Sequence, residues 1–114
     1  MAIAGLAMGS HGAIGSTYNI QPKLNVAMHR AYREGKVAEA MKLQEQLNVV
    51  IAGFVDRCNC RARGLNIIGG IKAVLRLKYG IDVGPCRPAA SPDLSEEAAK
   101  ELVAWLDSLS WTVE

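Results

Sequence analysis

Between residues 9 and 19 the chain gathers the side chains best suited to chemistry. GSHGAIGSTYN, Gly9 to Asn19, holds three glycines, the hydroxyls of Ser10, Ser16 and Thr17, the imidazole of His11 and the amide of Asn19. A glycine-rich run can bring backbone N–H groups up to a phosphate. It can also be the end of a barrel strand whose hydroxyls point into the barrel mouth, where barrel enzymes keep their sites. A plain turn is the third reading. No Gly-Lys-Ser/Thr follows, so this is not a P-loop. Gly9, Gly12 and Gly15 are evenly spaced by three with no second βα unit behind them, which departs from the dinucleotide fingerprint. On the residues alone the cradle, the strand end and the turn stay open.

Other reactive side chains offer less. Cys58 and Cys60 are one residue apart, which does not match the paired spacing of a tetrahedral zinc site, and no second ligand pair exists. No metal ligand set is expected. His29 shares a helix with Arg30 and Arg33 and reads as a surface residue. Glu96, Glu97 and Glu101 read as a solvated helix face, and Trp105 and Trp111 as packing residues. A desolvated lysine can be a Schiff-base nucleophile. Lys23, Lys36, Lys42, Lys78 and Lys100 fall on polar faces or helix ends. Lys72, after Gly69, Gly70 and Ile71, is the least ordinary, but none sits at the end of a buried strand.

The elements that must position these groups are mostly helical. Residues 2–8 make a short helical turn ended by Gly9. GAIGSTY predicts a short strand, about 12–16, running into a loop. A helix of about 22–34 starts at Pro22, with Leu24, Met28, Ala31 and Tyr32 on one face, and stops at Gly35. From Lys36 to about Arg57, Ala40, Leu43, Leu47, Val50 and Phe54 recur at 3-4-3-4 spacing, while Glu39, Lys42, Glu45 and Gln46 take the wet side. DRCNCRARG, 56–64, breaks this pattern. Residues 66–79 resume it with Ile67, Ile71, Val74 and Leu75, and Gly80 ends the helix. IDVGPCRPAASPD reads as extended and irregular. Ser95, followed by Glu96 and Glu97, starts a last helix whose buried face carries Leu102, Leu106 and Leu109. The C-terminal helices thus cover about 37–109. One strand against four or five helices is an unstable count, because a lone strand needs partners.

Composition bounds the class. A chain of 114 residues, 50% hydrophobic and 21% charged, is one domain's worth of foldable sequence. A net charge of +2 without a Lys/Arg stripe gives no footprint for nucleic acid. The longest apolar run, Val49 to Val55, is far short of the roughly 20 residues that span a bilayer. MAIAGLAM has no basic n-region, so no secretory signal is expected. Three cysteines, an odd count, suit a reduced, cytoplasmic setting.

The motifs then resemble one family. GSHGAIGSTYN, with Gly15-Ser16-Thr17-Tyr18 at its core, resembles the segment around the eighth barrel strand of the N-acetylneuraminate lyases, class I aldolases grouped with the dihydrodipicolinate synthases. The synthases usually carry a Val- and Asn-containing sequence there. REGKVAEAMKLQEQLN is similar to the family's junction and next long helix. GGIKAVLRLKYGIDVGPCRP is similar to its following helix and extended strap, and LDSLSWT to the C-terminus of animal-type lyases. The resemblance implies an α/β fold, the C-terminal part of a TIM (β/α)8 barrel, mostly helical in this chain with one short strand. A whole barrel takes about 250 residues, and Met1 would fall in the short helix between the seventh and eighth strands.

The resemblance also implies reversible aldol cleavage of sialic acid to N-acetylmannosamine and pyruvate, through a lysine Schiff base with a tyrosine as proton shuttle. Both residues would lie upstream, as would the groups that hold the sugar at the seventh strand. No catalytic residue is then expected in these 114 residues, and the chain alone is expected to be inactive. Ser16 would hydrogen-bond a sugar hydroxyl, and Ile67 or Ile68 would line the same mouth. No cofactor, nucleic acid or membrane is implied, and the full-length family is expected to be homotetrameric. The stretch 56–64 is longer than the family's junction. Two alternatives accompany this reading: another pyruvate-dependent aldolase, such as a dihydrodipicolinate synthase, or a non-catalytic helical interaction piece.

Overall fold

The computed structural model describes residues 2–58, 67–87 and 93–109. They form five helices: α1 (Ala2–Ala7), α2 (Pro22–Arg33), α3 (Val37–Arg57), α4 (Ile67–Tyr79) and α5 (Glu96–Ser108). A single 3-10 turn, Ser16–Asn19, precedes α2. No strand occurs among the described residues. The strand expected at about 12–16 is therefore not formed. Residues 12–15 lack helix or turn structure, and Ser16 already belongs to the 3-10 turn. The physical reason is the one its count foretold: a strand is defined by the ladder it makes with a neighbour, and no such neighbour occurs among the described residues.

The helices follow their local signals. Gly9, Gly35 and Gly80 take the left-handed backbone at φ +92°, +76° and +68°, which glycine adopts without a Cβ penalty, and each follows a helix end. Pro22 stands in the first turn of α2. Ser95 caps α5 by accepting a hydrogen bond from the Ala98 N–H at 3.2 Å, beside Glu96 and Glu97 in the first turn.

The residues group into two compact units, one up to Val49 and one from Val50 onward. In the first, Leu6, Leu24, Met28 and Leu47 form the buried core, with Ile3, Tyr32 and Leu43 packed against it. Gln44 is buried among them and satisfied: its Oε1 accepts from the Ile3 N–H at 3.2 Å and its Nε2 donates to Asn48 Oδ1 at 3.1 Å. In the second, Phe54, Val74 and Leu102 are fully buried, and Cys58, Ile71 and Ala99 are nearly so. There α4 packs on α5. Arg76 pairs with Glu96 at 2.7 Å, and Lys78 pairs with Asp107.

Candidate functional site

The glycine-rich segment starts where α1 stops. The Ser10 N–H donates to the Gly5 carbonyl at 2.9 Å, which closes α1 around Gly9. Beyond it the His11 carbonyl accepts from Arg33 Nη2, also at 2.9 Å, so α2 holds the segment from its far end. Gly15 is extended (φ −158°, ψ 146°) and leads into the 3-10 turn. Three hydrogen bonds close that turn. The Tyr18 N–H donates to the Gly15 carbonyl at 3.1 Å, the Ile20 N–H to the Thr17 carbonyl at 3.1 Å, and Asn19 Nδ2 to the Ser16 carbonyl at 2.8 Å. Thr17 and Ile20 are buried, at 7% and 4% exposure, while Ser16 faces solvent. The sequence motif is thus a short turn that buries Thr17 and leaves the Ser16 side chain exposed.

Beside the turn lies a cleft of about 730 Å³. Gly12, Ala13 and Tyr18 line it from the glycine-rich segment, and Asn25, Val26 and His29 from α2. His11, Arg30 and Arg33 add basic groups, and Glu34 an acidic one. Glu34 is held below its ordinary value by its hydrogen bond to Lys36, 2.8 Å away, and by that ammonium's charge. Among the described residues, two side-chain oxygens, Gln21 Oε1 and Oδ1 of the cleft-lining Asn25, are buried without a hydrogen-bond partner. Both are acceptors, so what they lack is a donor. Ile14, by contrast, stands wholly in solvent at 105% exposure.

The other predicted site residues belong to the second unit. Ile68, at 45% exposure, and the half-buried Ile67 open α4. Lys72 serves the backbone. Its Nζ donates to the carbonyls of Gly84 at 3.2 Å and Pro85 at 2.8 Å, tying the extended strap after α4 to the helix. The strap is held again at Cys86, whose backbone N–H donates to Asp93 Oδ1 at 3.0 Å. Burial, and then hydrogen bonding to Asp93, push the Cys86 thiol up. The Cys86 N–H and thiol hold Asp93 below the usual carboxylate range. Cys58 is buried at the end of α3. Cys60, Trp111 and most of the 56–64 stretch lie outside the described residues. Among the described residues no group of three His, Cys, Asp or Glu side chains converges on a metal position, and no helix is long and apolar enough to cross a membrane.

The sequence singled out Ser16 and not its surroundings. Thr17 as the anchor, Arg33 as the tie to His11 and Tyr18 as a wall of the cleft were not singled out. The signal for Tyr18 was present: a glycine three residues before an aromatic side chain, across a tight turn, leaves room for the ring.

The profile of the dihydrodipicolinate synthetase family matches residues 1–109. The chain is 34% identical over 116 residues to an N-acetylneuraminate lyase of Rhizobium meliloti (strain 1021), covering 96% of this chain and 36% of that protein. It is 35% identical over 107 residues to an N-acetylneuraminate lyase of Actinobacillus pleuropneumoniae serotype 5b (strain L20), covering 91% and 34%. A third N-acetylneuraminate lyase, from Enterobacter sp. (strain 638), is 36% identical over 106 residues, covering 88% and 33%. The chain therefore spans about a third of the length of these relatives. No solved structure gives a significant match.

Proposed function

The chain belongs to the dihydrodipicolinate synthetase family, and from that premise we propose that it is the closing segment of a (β/α)8 aldolase that cleaves N-acetylneuraminate to N-acetylmannosamine and pyruvate. The observation that carries this reading is the Gly15–Tyr18 turn, which leaves the Ser16 hydroxyl exposed while burying Thr17 beside it. The names of the relatives support the substrate.

The division of labour follows from the chemistry. A lysine amine condenses with the substrate's keto group, releasing water and leaving an iminium. A base takes the proton of the hydroxyl on the β carbon, which becomes the aldehyde of N-acetylmannosamine as the bond between the α and β carbons breaks, and that bond's electron pair flows into the iminium to give an enamine. Protonation of the resulting enamine and hydrolysis release pyruvate. In this reading the lysine and the proton-shuttling tyrosine stand on strands outside these 114 residues. This chain contributes binding: Ser16 holds a hydroxyl of the sugar chain, and Ile68 lines the mouth.

Lys72 fits the same division, since both of its hydrogen bonds are spent on strap carbonyls. The test is borohydride trapping with pyruvate, read by mass spectrometry. The 114-residue chain should gain no adduct. A chimera in which it replaces the matched part of the Rhizobium meliloti relative should gain one per subunit, on a lysine outside this segment. An adduct on Lys72, or on any other lysine of this chain, would overturn the assignment.

A further inference from the structure

Ser16 is one atom's worth of recognition on a four-residue turn, so something must fix where its hydroxyl points. The structure identifies a lock. A Cβ built on Gly15 would stand 3.1 Å from Tyr18 Cε1, 3.2 Å from Cζ and 3.3 Å from Cδ1, so the phenol ring lies flush against the Gly15 backbone. The Tyr18 N–H also donates to the Gly15 carbonyl, at 3.1 Å. Tyr18 thus holds Gly15 twice, by its ring and by its own backbone. Behind this clamp, Thr17 and Ile20 are buried, and Asn19 Nδ2 holds the Ser16 carbonyl at 2.8 Å.

The need for glycine at position 15 is one of space. Its backbone is extended, a conformation open to any residue. What a side chain would disturb is the seat of the Tyr18 ring. The ring is half-buried and forms a wall of the cleft, so displacing it opens room to swing and loosens the turn.

We infer that Gly15 and Tyr18 are positioning residues for the sugar: the Tyr18 ring, seated on Gly15, holds the turn that aims the Ser16 hydroxyl at the substrate. This rests on the reading of Ser16 given above and is separable from it. The ring carries the effect and the phenol hydroxyl does not, because it is ring carbons that meet the glycine.

Two experiments test it. On the chimeric enzyme with selectively labelled glycine, ring currents from Tyr18 should shift the Gly15 α-protons upfield in the NMR spectrum. Tyr18→Phe should keep the shift and Tyr18→Ala should abolish it. Gly15 α-protons at ordinary positions in the unsubstituted chimera would overturn the lock. In the chimeric enzyme, Ser16→Ala, Gly15→Val and Tyr18→Ala should each raise KM for N-acetylneuraminate several-fold. Each should leave kcat within about twofold and KM for pyruvate in the condensation direction unchanged.

Because all three act through one hydroxyl, combining Tyr18→Ala with Ser16→Ala should add nothing to Ser16→Ala alone. Tyr18→Phe should restore the original KM. A neutral Ser16→Ala would remove Ser16 from the site, and with it the premise. A costly Ser16→Ala beside a neutral Tyr18→Ala, or additive effects in the double variant, would overturn the positioning role while leaving the reading of Ser16 intact. If Gly15→Val fails to fold, the Tyr18→Ala and Tyr18→Phe pair decides the matter.

Discussion

Ser16 contributes one neutral hydroxyl, and that sets the size of any effect it can have. A hydrogen bond of this kind is worth about 0.5–1.5 kcal/mol. In the chimeric enzyme, Ser16→Ala should therefore raise KM for N-acetylneuraminate by a factor of about 2 to 12, checked by steady-state kinetics. A larger loss would mean that the serine does more than bind. Asp93 makes a second test at this scale. Its carboxyl is held below its ordinary value of 3.8, chiefly by the Cys86 N–H. A depressed folded-state value stabilises the strap above the unfolded value, and that contribution is lost as pH falls through the folded one. The Cys86 amide resonance should accordingly titrate with a midpoint below 3.8. A midpoint at or above it would mean that the hydrogen bond is not made in solution. Ser16 was singled out by the resemblance of its Gly-Ser-Thr-Tyr motif, since on residue types alone a cradle, a strand end and a turn stayed open. Residue types could not show Lys72 on the carbonyls of Gly84 and Pro85, because those acceptors sit 12 and 13 residues away in an irregular stretch with no periodicity to fix their position.

The helices were legible because their information is local. Apolar spacing runs through α2, α3, α4 and α5, glycines follow α2 and α4, and Ser95 caps α5. The strand was not, because a strand is completed by partners distant in sequence. Gln44 inside the buried face of α3 was also missed: its pairing with the Ile3 N–H joins residues 41 apart. Glycines inside helices pose the converse problem. Gly70 in α4 costs about 1 kcal/mol of helix propensity relative to alanine, which by itself predicts a stabilising Gly70→Ala. The packing reverses the sign. A Cβ there would meet Cys58 Sγ at 2.5 Å, Phe54 Cε1 at 3.2 Å and Leu102 Cδ2 at 3.3 Å. All three neighbours are buried and have no room to yield. Overpacking of this kind costs about 1–3 kcal/mol. Gly70→Ala should lower the melting temperature of the helical circular dichroism signal, and an unchanged or raised midpoint would contradict this packing.

At the scale of the whole chain, several large apolar side chains are left in water: Ile14, Met8 at 88% exposure and Val26 at 60%. Each forgoes about 1.5–3 kcal/mol of burial. The same unit holds residues 12–15, which carry no regular structure, and the oxygens of Gln21 and Asn25, which have no partner among the described residues. The proposed role gives these features one cause: the rest of a barrel covers them. The 12.2 kDa chain alone should therefore self-associate in light scattering. It should also give a weak near-ultraviolet signal from its tryptophans. A monodisperse monomer with sharp tertiary signals would mean that these surfaces need no cover.

If this segment completes a lyase, the chimera with the Rhizobium meliloti relative should cleave N-acetylneuraminate. Pyruvate release from N-acetylneuraminate is the quantity to measure. The chimera should release pyruvate steadily and the 114-residue chain none. A chimera that folds and traps pyruvate on its lysine, yet releases no pyruvate from N-acetylneuraminate, would contradict that role.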